Sequence, residues 1–241
     1  MRYNKLTREN QGYLLITPFY IFLFVIILVP IVVNIVLSFT DYNLSTSSFV
    51  GLKNYKALIR DSIFLISIKN TLVYTFSTLF LTMAIALLIA VALNRDLVGK
   101  NIYRTCFFMP HVASMIAVSM IWLWLYDPSR GIFNILLDFV GIKKQMFLFD
   151  PNLAMPCIIF MSIWKWVGFN MIIFLAGLQG IPEYLYEAAT IDGAKNRQKF
   201  FRITIPMLRP IIFFLFVTGT INNFRVFEQV IVLTQGGPLN A

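Results

Sequence analysis

The chain has 241 residues, 59% of them hydrophobic and only 13% charged, with a positive mean hydropathy, a balance that excludes an ordinary soluble globular domain. The formal charge of +9 invites a nucleic-acid reading, but the basic residues are spread through short connecting segments rather than gathered into one patch, which argues against nucleic acid. The composition is that of an integral membrane protein surrounded by lipid.

Apolar runs long enough to cross a hydrocarbon layer of about 30 Å, which takes about 20 helical residues, occur near 13 to 38, 70 to 93, 106 to 126, 154 to 178 and 207 to 231. About five transmembrane helices are predicted, and the chain reads as all-α. The runs lack the period-two alternation of barrel strands, so helices alone can pair their backbone groups in lipid. The first run follows Arg2, Lys5 and Arg8, as a signal peptide would. It is too long for one, however, and ends in Ser38, Phe39, Thr40 and Asp41 instead of a small-residue cleavage site. It is expected to be a retained anchor. Placing the N-terminus in the cytoplasm puts eleven basic side chains on inner segments and six on outer ones, the sense of the positive-inside bias.

The first outer segment, from Asp41 to Lys69, contains Gly51, Leu52, Lys53, Asn54 and Tyr55, then a pattern suited to a short surface helix. The third run contains Cys106 and the single histidine, His111, which follows Pro110. No second histidine or cysteine stands near it to build a metal site, and it is expected to hydrogen-bond between helices. Cys106 and Cys157 fall at opposite ends of neighbouring spans, which disfavours a disulfide, and both are expected to be small buried hydrophobes. The second outer segment runs from Asp127 and Pro128 to Asp150 and Pro151, enclosing an amphipathic stretch from Ile132 to Val140. Two readings of that stretch stand open, a cap over a pathway and a loop helix resting on the membrane surface.

The fourth run carries Lys165 between Trp164 and Trp166, with Asn170 beyond. An ionisable group at a helix centre costs about 2.5–3.5 kcal/mol on insertion scales, so it usually faces a pathway or a partner. Indole faces stack on sugar rings and Asn and Lys hydrogen-bond hydroxyls, which makes this group a candidate for cargo contact. The alternative is that Lys165 pairs with a carboxylate or reaches an interface. In the fifth run Asn222, Asn223, Arg225 and Glu228 cluster; the Arg225–Glu228 spacing suits an ion pair, and the two Asn residues are candidates for lining a pathway.

The inner segment from Gln179 to Pro206 is a polar island between two apolar runs. Pro182 suits a helix start, Glu183 and Glu187 follow, Gly193 supplies a break, and Lys195, Lys199 and Arg202 share one side of a second short helix. Ala188 and Ala189 have no bulk, so another surface can approach the backbone, while Glu187 and Asp192 offer charge to a basic side chain opposite. Two readings fit, a partner's grip and an ordinary interfacial hairpin.

The run Glu187, Ala188, Ala189, with Gly193, Ile203 and Pro206, resembles the EAA loop of binding-protein-dependent ABC import permeases, with Ile205 where that pattern has Leu. Ser38 to Asn43 (SFTDYN), Val50 to Tyr55 (VGLKNY), Asn70 to Leu72 (NTL), Leu175 to Pro182 (LAGLQGIP) and Thr234 to Pro238 (TQGGP) are similar to the carbohydrate-uptake branch containing maltose and glycerol-3-phosphate permeases. The resemblance implies a type I importer fold, with residues 1–68 as tail, first span and outer loop, and 69–241 as permease core with a coupling loop at 179–206. It implies that Glu187, Ala188, Ala189, Asp192 and Gly193 contact a separate ATPase subunit. It also implies a second permease subunit, an extracytoplasmic solute-binding protein, and ATP and Mg held by the ATPase rather than by this chain, which carries no phosphate-binding loop. Members of the family continue past the GGP element into a final span, so that helix is expected to be missing here.

The expected function is thus that of a transport subunit, not an enzyme, in the cell membrane, importing an oligosaccharide or related polyol. The candidate pathway residues are Trp164, Lys165, Trp166, Asn170, Asn222 and Asn223. An ion-coupled secondary transporter of a small polar solute is the alternative; it needs embedded carboxylates, and Glu228 is the one clear candidate. A membrane enzyme is weaker still, because the spans show no paired carboxylates, metal cluster or nucleophile with a base.

Overall fold

A computed structural model describes residues 5–43, 46–95 and 97–238, with side chains from residue 12 onward. Arg2 and Ala241, used in the expectations above, lie outside the described residues. The chain divides into two compact units, Met1–Leu65 and Ile66–Ala241.

In the first unit, α1 (Lys5–Phe22) passes through a π-helical segment, Leu23–Leu28, into α2 (Val29–Ser38). The widened turn immediately precedes Pro30. A proline ring crowds the carbonyl four residues back and offers no N–H, and a π turn relieves both by re-registering the ladder, with Val29 N–H bonding Phe24 O. Strands β1 (Thr40–Asn43) and β2 (Thr46–Phe49) pair antiparallel, Thr40 opposite Phe49, and α3 (Lys53–Arg60) follows. The short outer helix was expected; the hairpin was not, because its polar four-residue strands carry no alternating pattern. Asn54 Nδ2 donates to the carbonyls of Ser38 and Thr40, each at 3.0 Å, and Tyr55 Oη lies 2.7 Å from Ser38 Oγ. The SFTDYN and VGLKNY segments are thereby bound to one another.

The second unit begins within α4 (Ser62–Leu93) and contains α5 (Lys100–Val112), α6 (Met115–Leu125), α7 (Ile132–Phe139) and α8 (Ala154–Gln179). After them come α9 (Glu183–Ile191), α10 (Asn196–Lys199), a second π-helical segment at Phe200–Thr204, α11 (Ile205–Met207), α12 (Arg209–Phe224) and α13 (Glu228–Thr234). Among the described residues three helices are long and apolar enough to span a membrane, and up to five when each of two bent pairs counts as one span. The run expected at 106 to 126 is therefore not one straight helix. It breaks between α5 and α6 with a bend of 98°, because Pro110 cannot extend the helix and Ala113 and Ser114 turn extended, with ψ of 147° and 142°. The run at 207 to 231 ends at Phe224 and restarts as α13, while α12 meets α11 at 62°.

Small residues set the packing, as expected where lipid supplies no hydrophobic drive between helices. A Cβ on Gly168 of α8 would stand 1.8 Å from the Phe107 carbonyl oxygen of α5. One on Gly177 would meet Ile211 of α12 at 1.9 Å, and one on Gly219 of α12 would meet Leu79 of α4 at 2.6 Å. Two buried clusters result. One joins Ala86 and Ala90 of α4 to Met171, Phe174 and Leu178 of α8 and Leu208 and Leu215. The other joins Tyr74, Trp122, Tyr126, Met161 and Leu233. A polar chain runs through the second: Gln229 Nε2 donates to Tyr74 Oη at 2.9 Å, which donates to Ser162 Oγ at 2.9 Å, which donates to the Ile158 carbonyl at 2.8 Å. Each member is satisfied, so the chain ties α13, α4 and α8 without leaving an orphaned group.

In the outer segment, Asn134 of α7 is buried and clasps Gln145 through both backbone groups, at 2.8 and 2.9 Å. Asp127 Oδ1 accepts the Arg130 and Ser129 N–H groups at 2.6 and 2.8 Å, which holds its carboxyl below the usual range. Both cysteines are free; Cys157 is buried as expected, but Cys106 is exposed, since the close α5–α8 contact is made through Phe107 instead.

Replacing Gly168 by Ala is expected to destabilise the protein by about 3 kcal/mol, because the obstacle is main chain and cannot swing away. An unchanged melting midpoint in detergent would show that the two helices do not meet there.

Candidate functional site

Two features of the second unit stand apart from simple packing: a polar hairpin between α8 and α12, and a cleft where α4, α8 and α12 converge.

The hairpin starts at Pro182, whose fixed φ precedes α9. It turns at Gly193, where φ is +75°. Gly193 N–H bonds Thr190 O at 3.0 Å and Ala194 N–H bonds Ala189 O at 2.8 Å. This is a Schellman closure, and its left-handed residue favours glycine. No atom lies within 4 Å of a Cβ built there, so backbone conformation rather than space selects the glycine. The returning arm opens at Lys195, whose N–H bonds Gln198 Oε1 at 2.7 Å. Two side-chain bonds lock the arms: Tyr186 Oη with Thr204 Oγ1 at 2.9 Å, and Lys199 Nζ to Thr190 Oγ1 at 2.6 Å. The base is anchored by Leu185, Tyr186 and Ile203 against the cluster containing Ile181 and Leu208. Glu187, Ala188, Asp192 and Gly193 are exposed, and Ala189 is half-buried. Beside them three large apolar side chains stand in the open, Tyr184 at 65%, Ile191 at 87% and Phe201 at 58% exposure. Their exposure could not be read from the sequence, because each lies in a pattern that also suits burial.

The cleft has a volume of about 40 Å³ and is lined by Thr78, Thr82, Trp166, Asn170, Gly219, Asn222 and Asn223, among others. A second recess of about 200 Å³ adjoins through Trp166, Asn222 and Asn223 and adds Tyr74, Arg225 and Glu228. The structure thus brings four of the six candidate pathway residues together: Trp166, Asn170, Asn222 and Asn223. Trp164 is elsewhere, 42% exposed and edge-on to Trp122 at 5.5 Å. Lys165 is elsewhere too. It is 4% exposed, and its Nζ donates to the carbonyls of Ala113, Pro110 and His111 at 2.5, 3.3 and 3.4 Å. Those oxygens end α5 at its break, so the ammonium caps a helix C-terminus and meets its dipole. Neither sequence alternative for Lys165 anticipated this, because the break that creates the orphaned carbonyls lies 52 residues upstream.

Threonines on α4 add what the sequence scan missed. Thr75, Thr78 and Thr82 are buried, and their hydroxyls have no hydrogen-bond partner among the described residues. Helical threonines commonly bond the carbonyl four back, as Thr71, Thr218 and Thr220 do here. Thr78 and Thr82 instead line the cleft with unused donors. Asn223 reaches across to the Thr75 carbonyl at 3.3 Å. His111 also departs from expectation: its Nδ1 is buried without a partner among the described residues, and its ring lies against Phe169 and Trp166, 4.8 and 4.9 Å between centroids. Arg225 and Glu228 lie on either side of the gap between α12 and α13 and form no ion pair among the described residues.

Comparison with known proteins addresses the whole arrangement. The family described as "Binding-protein-dependent transport system inner membrane component" matches residues 82–241. The chain belongs to that family. Among relatives of this permease, the "Probable ABC transporter permease protein YesP" of Bacillus subtilis is 39% identical over 235 residues, covering 95% of this chain and 75% of that protein. The "Arabinooligosaccharides transport system permease protein AraP" of the same organism is 36% identical, covering 95% and 74%. The "sn-glycerol-3-phosphate transport system permease protein UgpA" of Agrobacterium fabrum is 38% identical, covering 81% and 67%. A solved bacterial ABC transporter involved in import of the acidic polysaccharide alginate contains a chain with a TM-score of 0.85 at 27% identity, covering 99% of this permease and 81% of that chain. The same TM-score is found for an alginate transporter in complex with an alginate pentasaccharide-bound periplasmic protein. The family and fold expected from the EAA and flanking segments are borne out. The permease is a multi-pass membrane component of a binding-protein-dependent transport system.

Replacement of Lys165 by Met is expected to cost about 1.5–3 kcal/mol of stability through the uncapped carbonyls and to speed amide exchange at residues 113–116. Undiminished stability with a raised KM for cargo would instead put the ammonium in the pathway.

Proposed function

We propose that this permease is the transmembrane subunit of an ATP-driven importer for an oligosaccharide or related polyol, and that the hairpin between α8 and α12 is its coupling element. The observation that carries this reading is the hairpin itself: a doubly tied, glycine-closed projection with Glu187, Ala188, Asp192 and Gly193 exposed, Ala189 half-buried, and Tyr184, Ile191 and Phe201 uncovered. Small residues let a partner's surface reach the backbone, apolar side chains reward its closure, and two carboxylates fix its register. The partner is an ATPase subunit, which holds ATP and Mg and does the hydrolysis; this chain is not the enzyme. A second permease subunit completes the pore and an extracytoplasmic solute-binding protein delivers cargo, in keeping with the alginate complex. The N-terminus is cytoplasmic, supported by the excess of basic residues on the inner segments.

Carbohydrate cargo is supported by the named substrates of the relatives and by the chemistry of the cleft, where Trp166 offers a ring face and Asn170, Asn222 and Asn223 offer amide groups. Both recesses are smaller than the roughly 300 Å³ at which ordinary ligand pockets begin. Cargo therefore does not fit within either recess as it stands, and cargo entering the cleft would offer Thr78 and Thr82 hydroxyl partners.

Gly193→Ala imposes a left-handed penalty of about 1–2 kcal/mol on the hairpin alone, and Glu187→Lys reverses one of its charges. Both are expected to reduce co-purification of the ATPase subunit at least about tenfold while the melting midpoint of the core holds. Full retention of the ATPase by both variants would refute the coupling reading. In sealed vesicles, protease cleavage within residues 183–199 from the outer face alone would reverse the orientation.

For cargo, Asn222→Ala is expected to raise the KM for uptake of arabinotriose or sn-glycerol 3-phosphate about tenfold, the worth of one or two hydrogen bonds, with ATPase binding intact. An unchanged KM for both would place the pathway away from the cleft.

A further inference from the structure

The first unit carries a charged surface that neither coupling nor cargo explains. Helix α3 presents Lys53, Lys56 and Arg60 at a spacing of three and four residues, along one face. The three cations share the wall of a single open concavity of about 460 Å³ with Val50, Leu52 and Ala57. None of them is neutralised by an ion pair among the described residues. The neighbouring carboxylates are committed or displaced: Asp61 Oδ1 accepts the Ile63 N–H at 2.8 Å at the start of α4, and Asp41 sits in β1 opposite Ser48. On the adjacent side of the helix Leu58 and Ile59 are exposed, at 40% and 68%, and Phe49 of β2 is 80% exposed. A helix with cations on one flank and uncovered aliphatic side chains on the next has the pattern of one lying in a membrane interface, its apolar side in the acyl boundary and its amines at headgroup depth.

Position decides the matter between a lipid and a soluble partner. Residues Gly12–Ser38 form one apolar segment able to span the membrane, and Ser38 is its last residue. Helix α3 is fastened to that end by the Asn54 bonds to the Ser38 and Thr40 carbonyls, by the contact between the Tyr55 and Ser38 hydroxyls, and by Tyr55 packing on Phe39 with ring centroids 5.4 Å apart. The fastening fixes its depth at the level where the span leaves the hydrocarbon. We infer that α3 is an interfacial anchor and that Lys53, Lys56 and Arg60 bind the phosphate of an anionic phospholipid, whose acyl chains cover Leu58 and Ile59.

The full-length permease in detergent micelles, titrated with a phosphatidylglycerol or a phosphatidylcholine and followed by native mass spectrometry, tests the site. Phosphatidylglycerol is expected to be retained about 10- to 100-fold more strongly. The preference should vanish in Lys53→Gln/Lys56→Gln/Arg60→Gln and survive in Lys53→Arg/Lys56→Arg. Equal retention of the two lipids, or a preference unaffected by the triple replacement, would overturn the inference. Should the triple variant fail to fold, Ile59→Trp in nanodiscs supplies an independent readout. Brominated phosphatidylglycerol is expected to quench its fluorescence more than brominated phosphatidylcholine, and absence of quenching by either would show the helix standing clear of lipid. A triple variant that keeps the lipid preference but loses stimulation by the solute-binding protein would assign the basic face to an acidic protein and defeat the lipid assignment.

Discussion

A broken helix at membrane depth must find donors for the carbonyls it frees, since lipid offers none. The junction of α5 and α6 meets that demand with a single ammonium group. Lys165, projecting from α8, gathers the carbonyls of Pro110, His111 and Ala113. Its charge would be costly in hydrocarbon, and the carbonyl dipoles at the end of α5 supply what water would have supplied. The break and the lysine stabilise each other. Without the lysine the 98° bend would leave main-chain carbonyls unsatisfied, and without the bend the lysine would lose the three carbonyls that bind it. Because α5 and α8 also touch main chain to side at Gly168, the two helices meet through a contact that neither can leave alone. That pair then fixes one wall of the cleft, through Trp166 and Asn170.

Polar groups elsewhere in the second unit fall into two kinds, and the difference bears on function. The Gln229–Tyr74–Ser162 chain is fully satisfied and serves as a rigid cross-brace. The Thr75, Thr78 and Thr82 hydroxyls are buried without partners, a state that costs free energy in a resting structure. Strain of that sort concentrates where a ligand or a second conformation supplies the missing bond. Thr75 and Thr78 lie within about one turn of Tyr74 on α4, so the brace holds those two hydroxyls in place.

Most of the architecture was legible in the sequence. Apolar runs of about 20 residues have few alternatives in lipid, and the polar hairpin stood out because its Glu, Ala, Ala and Gly pattern interrupts such a run. Asn222, Asn223, Asn170 and Trp166 were found by asking which polar side chains lie within spans, and the fold gathers them. The same question could not reveal the contacts of Lys165, because its hydrogen-bond partners are backbone oxygens, which carry no residue signature, at a break far away in sequence. Trp164 and Trp166 are chain neighbours on a helix and face different ways, a separation that needs the helix rotation to be known. The α4 threonines were passed over since isolated threonines in a span normally bond their own backbone. The β1–β2 hairpin was missed because its strands, TDYN and TSSF, are mostly polar and do not alternate.

The junction of α11 and α12 turns by 62°, yet main-chain hydrogen bonds still tie Leu208 to both helices. The N–H of Leu208 bonds Thr204 O at 3.0 Å and that of Ile212 bonds Leu208 O at 2.8 Å, while Leu208 itself is wholly buried. The π turn ahead of Pro206 absorbs the proline's geometry without opening a gap. The corner is thus a welded knee rather than a free hinge. On the coupling proposal, a displacement of the hairpin tip would be carried through that corner into α12, on which Gly219 and Asn222 line the cleft.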